Sequence, residues 1–108
     1  MEIVKFEEWQ KLDLRLAKVI AVEDVEGKEK LFKLQIDVGG QEKTLVAGLK
    51  HHYTREELLG KTIVVVNNLK PALIAGVESQ GMLLAVKATE GYGLLTADKT
   101  VKPGAKVE

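Results

Sequence analysis

The chain has no cysteine, which removes disulfides, thiolate nucleophiles and cysteine-based zinc sites and suits a reducing compartment. Aromatic residues are scarce, at 5%, and no strand offers the outward pair of Phe or Tyr on which single-strand readers stack unpaired bases. No apolar run approaches the length of a membrane span. The N-terminal stretch MEIVKFEEWQK is acidic and lacks the apolar core of a secretory signal, so a cytoplasmic location without a membrane partner is expected. Excess charge is missing too. Sixteen basic residues balance sixteen acidic ones, which leaves no global field to attract a polyanion and counts against an indiscriminate nucleic-acid coat protein. A local imbalance survives, because residues 31–70 carry six bases against Asp37, Glu42, Glu56 and Glu57.

What is present is a folding chain. Its 108 residues are 45% apolar, with two prolines and ten glycines scattered along it, the size and composition of one domain with one modest core. Phe6 to Asp13 can form a short helical turn with Phe6 and Trp9 on one side. The period then changes to two. Leu14, Leu16, Ile20 and Val22 mark one face of a first strand with Arg15 on the other. In a second strand Phe32, Leu34, Ile36 and Val38 point inward while Lys33, Gln35 and Asp37 point out. Gly39-Gly40 supplies the positive φ of a tight hairpin to a third strand, Gln41 to Leu49. Thr54 and Glu57 form a capping box for a short helix that Gly60 ends. Ile63 to Val66 is apolar on both faces, as in a strand buried on both sides or at a subunit contact. Two more strands follow at Gln80 to Ala88 and Tyr92 to Asp98, and Val101 to Val107 is an edge piece or turn. The order predicts an all-β OB-fold: a five-stranded Greek-key barrel with a short helix between strands three and four and additional C-terminal β structure. Within a single domain, 1–108, residues 1–12 would be a short helical segment, 13–88 the barrel and 89–108 a C-terminal extension.

No catalytic or metal constellation accompanies this pattern. His51 and His52 are adjacent, so their side chains diverge, and no third ligand goes with them. Ser79 lacks a nucleophile-elbow context, Glu78 is a lone loop carboxylate, and the glycines match no phosphate-binding fingerprint. The chain is expected to be no enzyme and to hold no cofactor and no metal.

Lys33, Gln35 and Lys43 on strands two and three, with Arg15 and Lys18 beside them on strand one, are either ordinary solvated side chains or a ligand face. In OB-folds the surface of strands two and three, edged by the loops between strands one and two and strands four and five, is the usual oligonucleotide site. Asn68 to Ala85, reading NLKPALIAGVESQGMLLA, occupies the second loop. Lys70 can meet a phosphate there, Pro71 restricts the turn, Ser79 can hydrogen-bond a phosphate or a 2′-hydroxyl, and Met82 offers apolar surface or packs in strand five.

Asp13-Leu14-Arg15, Val46-Ala47-Gly48, Tyr53-Thr54 with Glu56-Glu57-Leu58, Asn68-Leu69-Lys70-Pro71 and Gly76 to Ala85 resemble the tRNA-binding OB domain found at the C-terminus of many methionyl-tRNA synthetases. The same module occurs as a free-standing structure-specific tRNA-binding protein and in a cytokine-precursor family of multisynthetase cofactors. The resemblance implies a non-catalytic tRNA-binding homodimer, either free-standing or serving as the β-subunit of a methionyl-tRNA synthetase. Its contacts would come from Arg15, Lys18, Lys33, Gln35, Lys43, Asn68, Lys70, Ser79, Gln80 and Met82. One departure is visible: many relatives carry basic residues where this chain has Ala72-Leu73-Ile74-Ala75. Ile74-Ala75-Gly76 is also similar to a related OB-fold export chaperone, so a homodimer binding unfolded peptide is the alternative.

Overall fold

The computed structural model covers residues 1–108. The period-two alternation becomes three antiparallel strands, β1 (Leu14–Val25), β2 (Lys28–Asp37) and β3 (Glu42–Ala47). Val38 to Gln41 form the turn between β2 and β3, with Gly39 and Gly40 at φ 75° and 93° and the Asp37 carboxylate accepting the Gly40 N–H at 2.7 Å. A side chain at either glycine would strain this left-handed backbone. Helix α1 (Phe6–Trp9) precedes the strands, and helix α2 (Arg55–Leu58) follows them behind the predicted Thr54/Glu57 capping box. Strand β4 (Thr62–Val66) pairs with β1, and β7 (Met82–Leu83) pairs with β4, giving the sheet order β3-β2-β1-β4-β7. The helix between the third and fourth strands and the Greek-key course are those of an OB-fold, as predicted.

Inward positions of these strands make one core. Val19, Leu34, Ile36, Leu45 and Ile63 are essentially inaccessible, and Leu58 of α2 joins them. Truncating one of them, for example Leu34→Ala, is expected to cost about 2–5 kcal/mol because the lost contacts leave a cavity.

Two sequence expectations are corrected. Ile20 does not point inward: the β1–β2 register steps between Val19 and Ala21, leaving Ile20 as an extra, exposed residue and moving the inward set to Ala17, Val19 and Val22. A bulge of this kind shifts the alternation by one and cannot be seen in period counting. Asn68 to Ala85 is not a long loop, because it contains a second hairpin, β5 (Ala72–Ile74) and β6 (Val77–Ser79). Its two-residue turn holds Ala75 and Gly76 at φ 51° and 79°, the backbone of a type I′ turn. Strand β8 (Ala85–Lys87) pairs with β9 (Tyr92–Leu94), and the expected 88/89 boundary falls in their turn. Of the two readings of β4, a strand buried on both sides fits: Ile63, Val64 and Val65 are all buried within the single chain. Beside it, Gly104 to Val107 lies along Leu14 to Leu16, with Leu16 N–H to Ala105 O at 2.9 Å and Val107 N–H to Leu14 O at 2.9 Å.

Candidate nucleic-acid interface

On the outer face of β1, β2 and β3 the cross-strand register sets three rows. Lys33 stands between Glu23 and Val46, Gln35 between Ala21 and Thr44, and Asp37 between Lys18 and Glu42. Lys18, Lys33 and Gln35 therefore share one face, as predicted, but the face is not a basic stripe. The Lys33 ammonium lies 3.9 Å from the Glu23 carboxylate, Gln35 and Thr44 hydrogen-bond each other at 2.9 Å, and Lys18 shares its row with two acids.

The structure removes two cations from this face. Lys43 stands opposite the fully buried Ile36, so it points to the core side, where its Nζ donates to the Asn67 carbonyl at 2.9 Å. Arg15 stands opposite the buried Val65 and is held by its neighbours: Nε donates to the Asp13 carboxylate at 2.8 Å and Nη1 to Gly104 O at 3.2 Å. Asp13 also accepts from the Asn67 side-chain amide at 2.9 Å. That bond, then Arg15 through contact and charge, with Lys106 adding charge, holds the Asp13 carboxyl below its ordinary range against the opposing effect of burial.

Much of the motif-bearing stretch is structural as well. The Asn68 side chain accepts the Asp13 N–H at 2.8 Å and donates to Lys11 O at 2.7 Å, clamping the N-terminal segment to the end of β4. Ser79, 1% exposed, accepts the Val46 N–H and donates to Gly81 O, both at 3.1 Å. Gln80 accepts the Thr44 N–H through its side-chain carbonyl at 2.9 Å, while its own N–H donates to Thr44 O at 2.8 Å. Side chains thus replace ladder carbonyls where β3 meets the closing strand, which seals the barrel and satisfies amides that burial would otherwise orphan. Gly81, at φ 139°, is required because a Cβ there would sit 2.7 Å from Val66 O. Ser79 is not a surface hydroxyl, and Asn68 and two of the three Arg15 side-chain nitrogens bond within the fold. Lys70 remains exposed and makes no ion pair.

Met82 is 37% exposed at an apolar groove of about 460 Å³, walled by Leu31, Val46, Leu49, Ile74 and Tyr92 among others. No local pattern in the sequence marks this groove, because its walls come from five separated segments. Three further cations are Lys28 and Lys30, exposed on β2 just after the first hairpin, and Lys87, which pairs across β8–β9 with Tyr92. The alternation K-E-K after Gly27 was the available signal for the first two. The two histidines do not converge: His52 packs edge-on against Tyr92, with ring centroids 5.1 Å apart.

The family described as "Putative tRNA binding domain" matches residues 14–106. A methionine–tRNA ligase of Pyrococcus horikoshii is 53% identical over 107 residues, which is 99% of this chain and 15% of that protein. One from Thermotoga maritima is 51% identical over 96% of the chain and 16% of its own length. The chain thus spans about 15% of the length of the curated relatives it matches. Among solved structures, a MetRS-related protein from Pyrococcus horikoshii superposes with a TM-score of 0.91 at 37% identity, covering all of both chains. A CsaA chaperone protein from Picrophilus torridus gives 0.90 at 29%, over 98% of this chain and all of its own.

Proposed function

The chain belongs to the tRNA-binding-domain family, and from that premise we propose that it is a non-catalytic module that binds tRNA and lends affinity to a methionyl-tRNA synthetase, as a free-standing protein or as a β-subunit. The carrying observation is that nearly the whole chain aligns at 53% identity with a stretch amounting to only 15% of a methionine–tRNA ligase. The module works in the cytoplasm as a homodimer. Its contact surface is the outer face of β2 and β3 together with the β5–β6 hairpin, and its contacts are Lys70, Lys33, Lys18, Gln35 and Met82. Ser79, Gln80, Asn68, Lys43 and Arg15 act by shaping that surface.

A gel shift with bulk tRNA, run beside a binding assay with an unfolded apolar peptide, tests this reading. Retarded tRNA that peptide does not compete away supports it. Peptide binding with no tRNA shift would assign the chain to the chaperone-like alternative. Co-purification of a methionyl-tRNA synthetase with the tagged chain tests the partner.

A further inference from the structure

We infer that the apolar groove between β3 and the β8–β9 hairpin receives one unpaired base of the bound RNA, stacked on Tyr92. The inference rests on the tRNA-binding reading and extends it from phosphate contacts to a base subsite.

The groove continues the outer face of the sheet. Val46 stands in the Lys33 row, and Leu31, two residues before Lys33 on β2, shares its face, so the groove adjoins the outer face of the sheet. The β5–β6 hairpin forms the opposite wall with Ile74, held in place by the Ser79 bond to Val46.

Tyr92 stands at the rim, 46% exposed. Its ring is braced from the side by His52 at an interplanar angle of 73°. The close approach depends on Gly91, where a Cβ would fall 2.8 Å from His52 Nδ1. A ring already fixed by its neighbours loses little freedom when a base stacks on it, and every base has a π-face to offer. Met82 lines the same groove and is partly exposed; its polarizable thioether suits an aromatic partner.

The charge around the groove matches a nucleotide better than an apolar peptide. Lys87 is the cross-strand partner of Tyr92 and Lys33 is in the row of Val46, whereas Lys30, next to Leu31 on β2, points to the opposite face. Glu23, beside Lys33 at 3.9 Å, offsets one of these cations. Lys87 makes no ion pair, so a phosphate next to an inserted base meets positive charge at the Tyr92 rim.

The test uses the full chain and its Tyr92→Ala, Tyr92→Phe and Met82→Glu variants, each checked for folding by circular dichroism and titrated with one tRNA transcript at several salt concentrations. Base reactivity of the bound tRNA is mapped with dimethyl sulfate. The wild-type chain should shield an unpaired base. Tyr92→Ala should bind about tenfold more weakly with an unchanged salt slope and leave that base reactive, by loss of one stacking contact. Tyr92→Phe should keep affinity and shielding, and Met82→Glu should lose both. A folded Tyr92→Ala with wild-type affinity and shielding overturns the base subsite, as does an apolar peptide that fills the groove while tRNA stays bound. If the wild-type chain binds no tRNA, the tRNA-binding reading falls and the subsite with it; binding that is indifferent to Tyr92 sinks the subsite alone.

Discussion

The hydroxyl of Ser79 accepts the backbone N–H of Val46 at 3.1 Å and so joins the closing strand to β3. Ser79→Ala leaves that buried amide and the Gly81 carbonyl without a partner, which should cost about 1–3 kcal/mol of folding stability. Urea denaturation would measure it. The folded variant should keep the wild-type salt slope of tRNA binding, because the hydroxyl shapes the surface and meets no phosphate. Wild-type stability combined with weakened tRNA binding would return Ser79 to the contact surface.

Asp13 makes stability depend on pH. Its carboxyl is held low by the Asn67 amide first and then by Arg15, whereas in the unfolded chain it titrates near ~3.9. The folded form therefore resists protonation. The contribution is fully present above the unfolded value and disappears as pH falls through the lower folded value. Asp24, beside Lys50 and Arg55, and Glu57, bonded to Thr54, are lowered in the same direction, but both persist in an Asp13→Asn variant and cancel in the comparison. The stability gap between wild type and Asp13→Asn, from urea unfolding at a series of pH values, should be flat in the neutral range and shrink below roughly pH 4. A gap that persists to pH 2 would rule out the Asp13 charge as its source.

The strand order, the α2 capping box and the inward residues of β2 were legible in the sequence because each rests on local chemistry: alternation, a T-x-x-E spacing and a Gly-Gly turn. The site was only half legible. The block from Gly76 to Ala85 identifies the family, yet Ser79, Gln80 and Gly81 in it close the barrel. Their polar atoms and the missing Cβ answer to Val46, Thr44 and Val66, tens of residues away and invisible to any local reading. Arg15 and Lys43 looked outward because strand phase was counted from their neighbours' polarity. The register puts both on inward rows at the barrel end, where Asp13 and the Asn67 carbonyl hold them. The groove around Met82 and Tyr92 was hidden for the same reason.

The resemblance implies a homodimer, but β4 is covered within one chain. Surplus apolar surface lies instead in the N-terminal segment, where Ile3, Val4, Phe6 and Leu12 are 93%, 68%, 65% and 45% exposed and α1 buries none of its residues. Association that hides this segment is the expected remedy for such a patch. Light scattering at micromolar concentration should give twice the chain mass, and Phe6→Ser with Val4→Ser should move it toward the monomer. A monomeric wild-type mass would refute the dimer, and a double variant that stays dimeric would place the contact elsewhere.

The last prediction concerns Lys70. Of the cations first assigned to phosphate contact, Arg15 and Lys43 are tied down inside the fold and Lys33 lies near Glu23, whereas Lys70 is exposed with no ion pair. The salt dependence of tRNA binding should therefore be shallow, reflecting roughly one to three phosphates per subunit. Each neutralised phosphate contributes about 0.7–0.9 to the magnitude of the slope of log affinity against log salt. Lys70→Ala should accordingly weaken binding to all tRNAs alike and flatten the slope by about one unit. Arg15→Ala should behave in the opposite manner, lowering stability through the lost Asp13 and Gly104 bonds while leaving the slope of the folded protein nearly unchanged. A salt titration of both variants separates the two roles. If Lys70→Ala keeps the wild-type slope while Arg15→Ala flattens it, the β5–β6 hairpin is not the phosphate-binding edge and the barrel end around Asp13 takes its place.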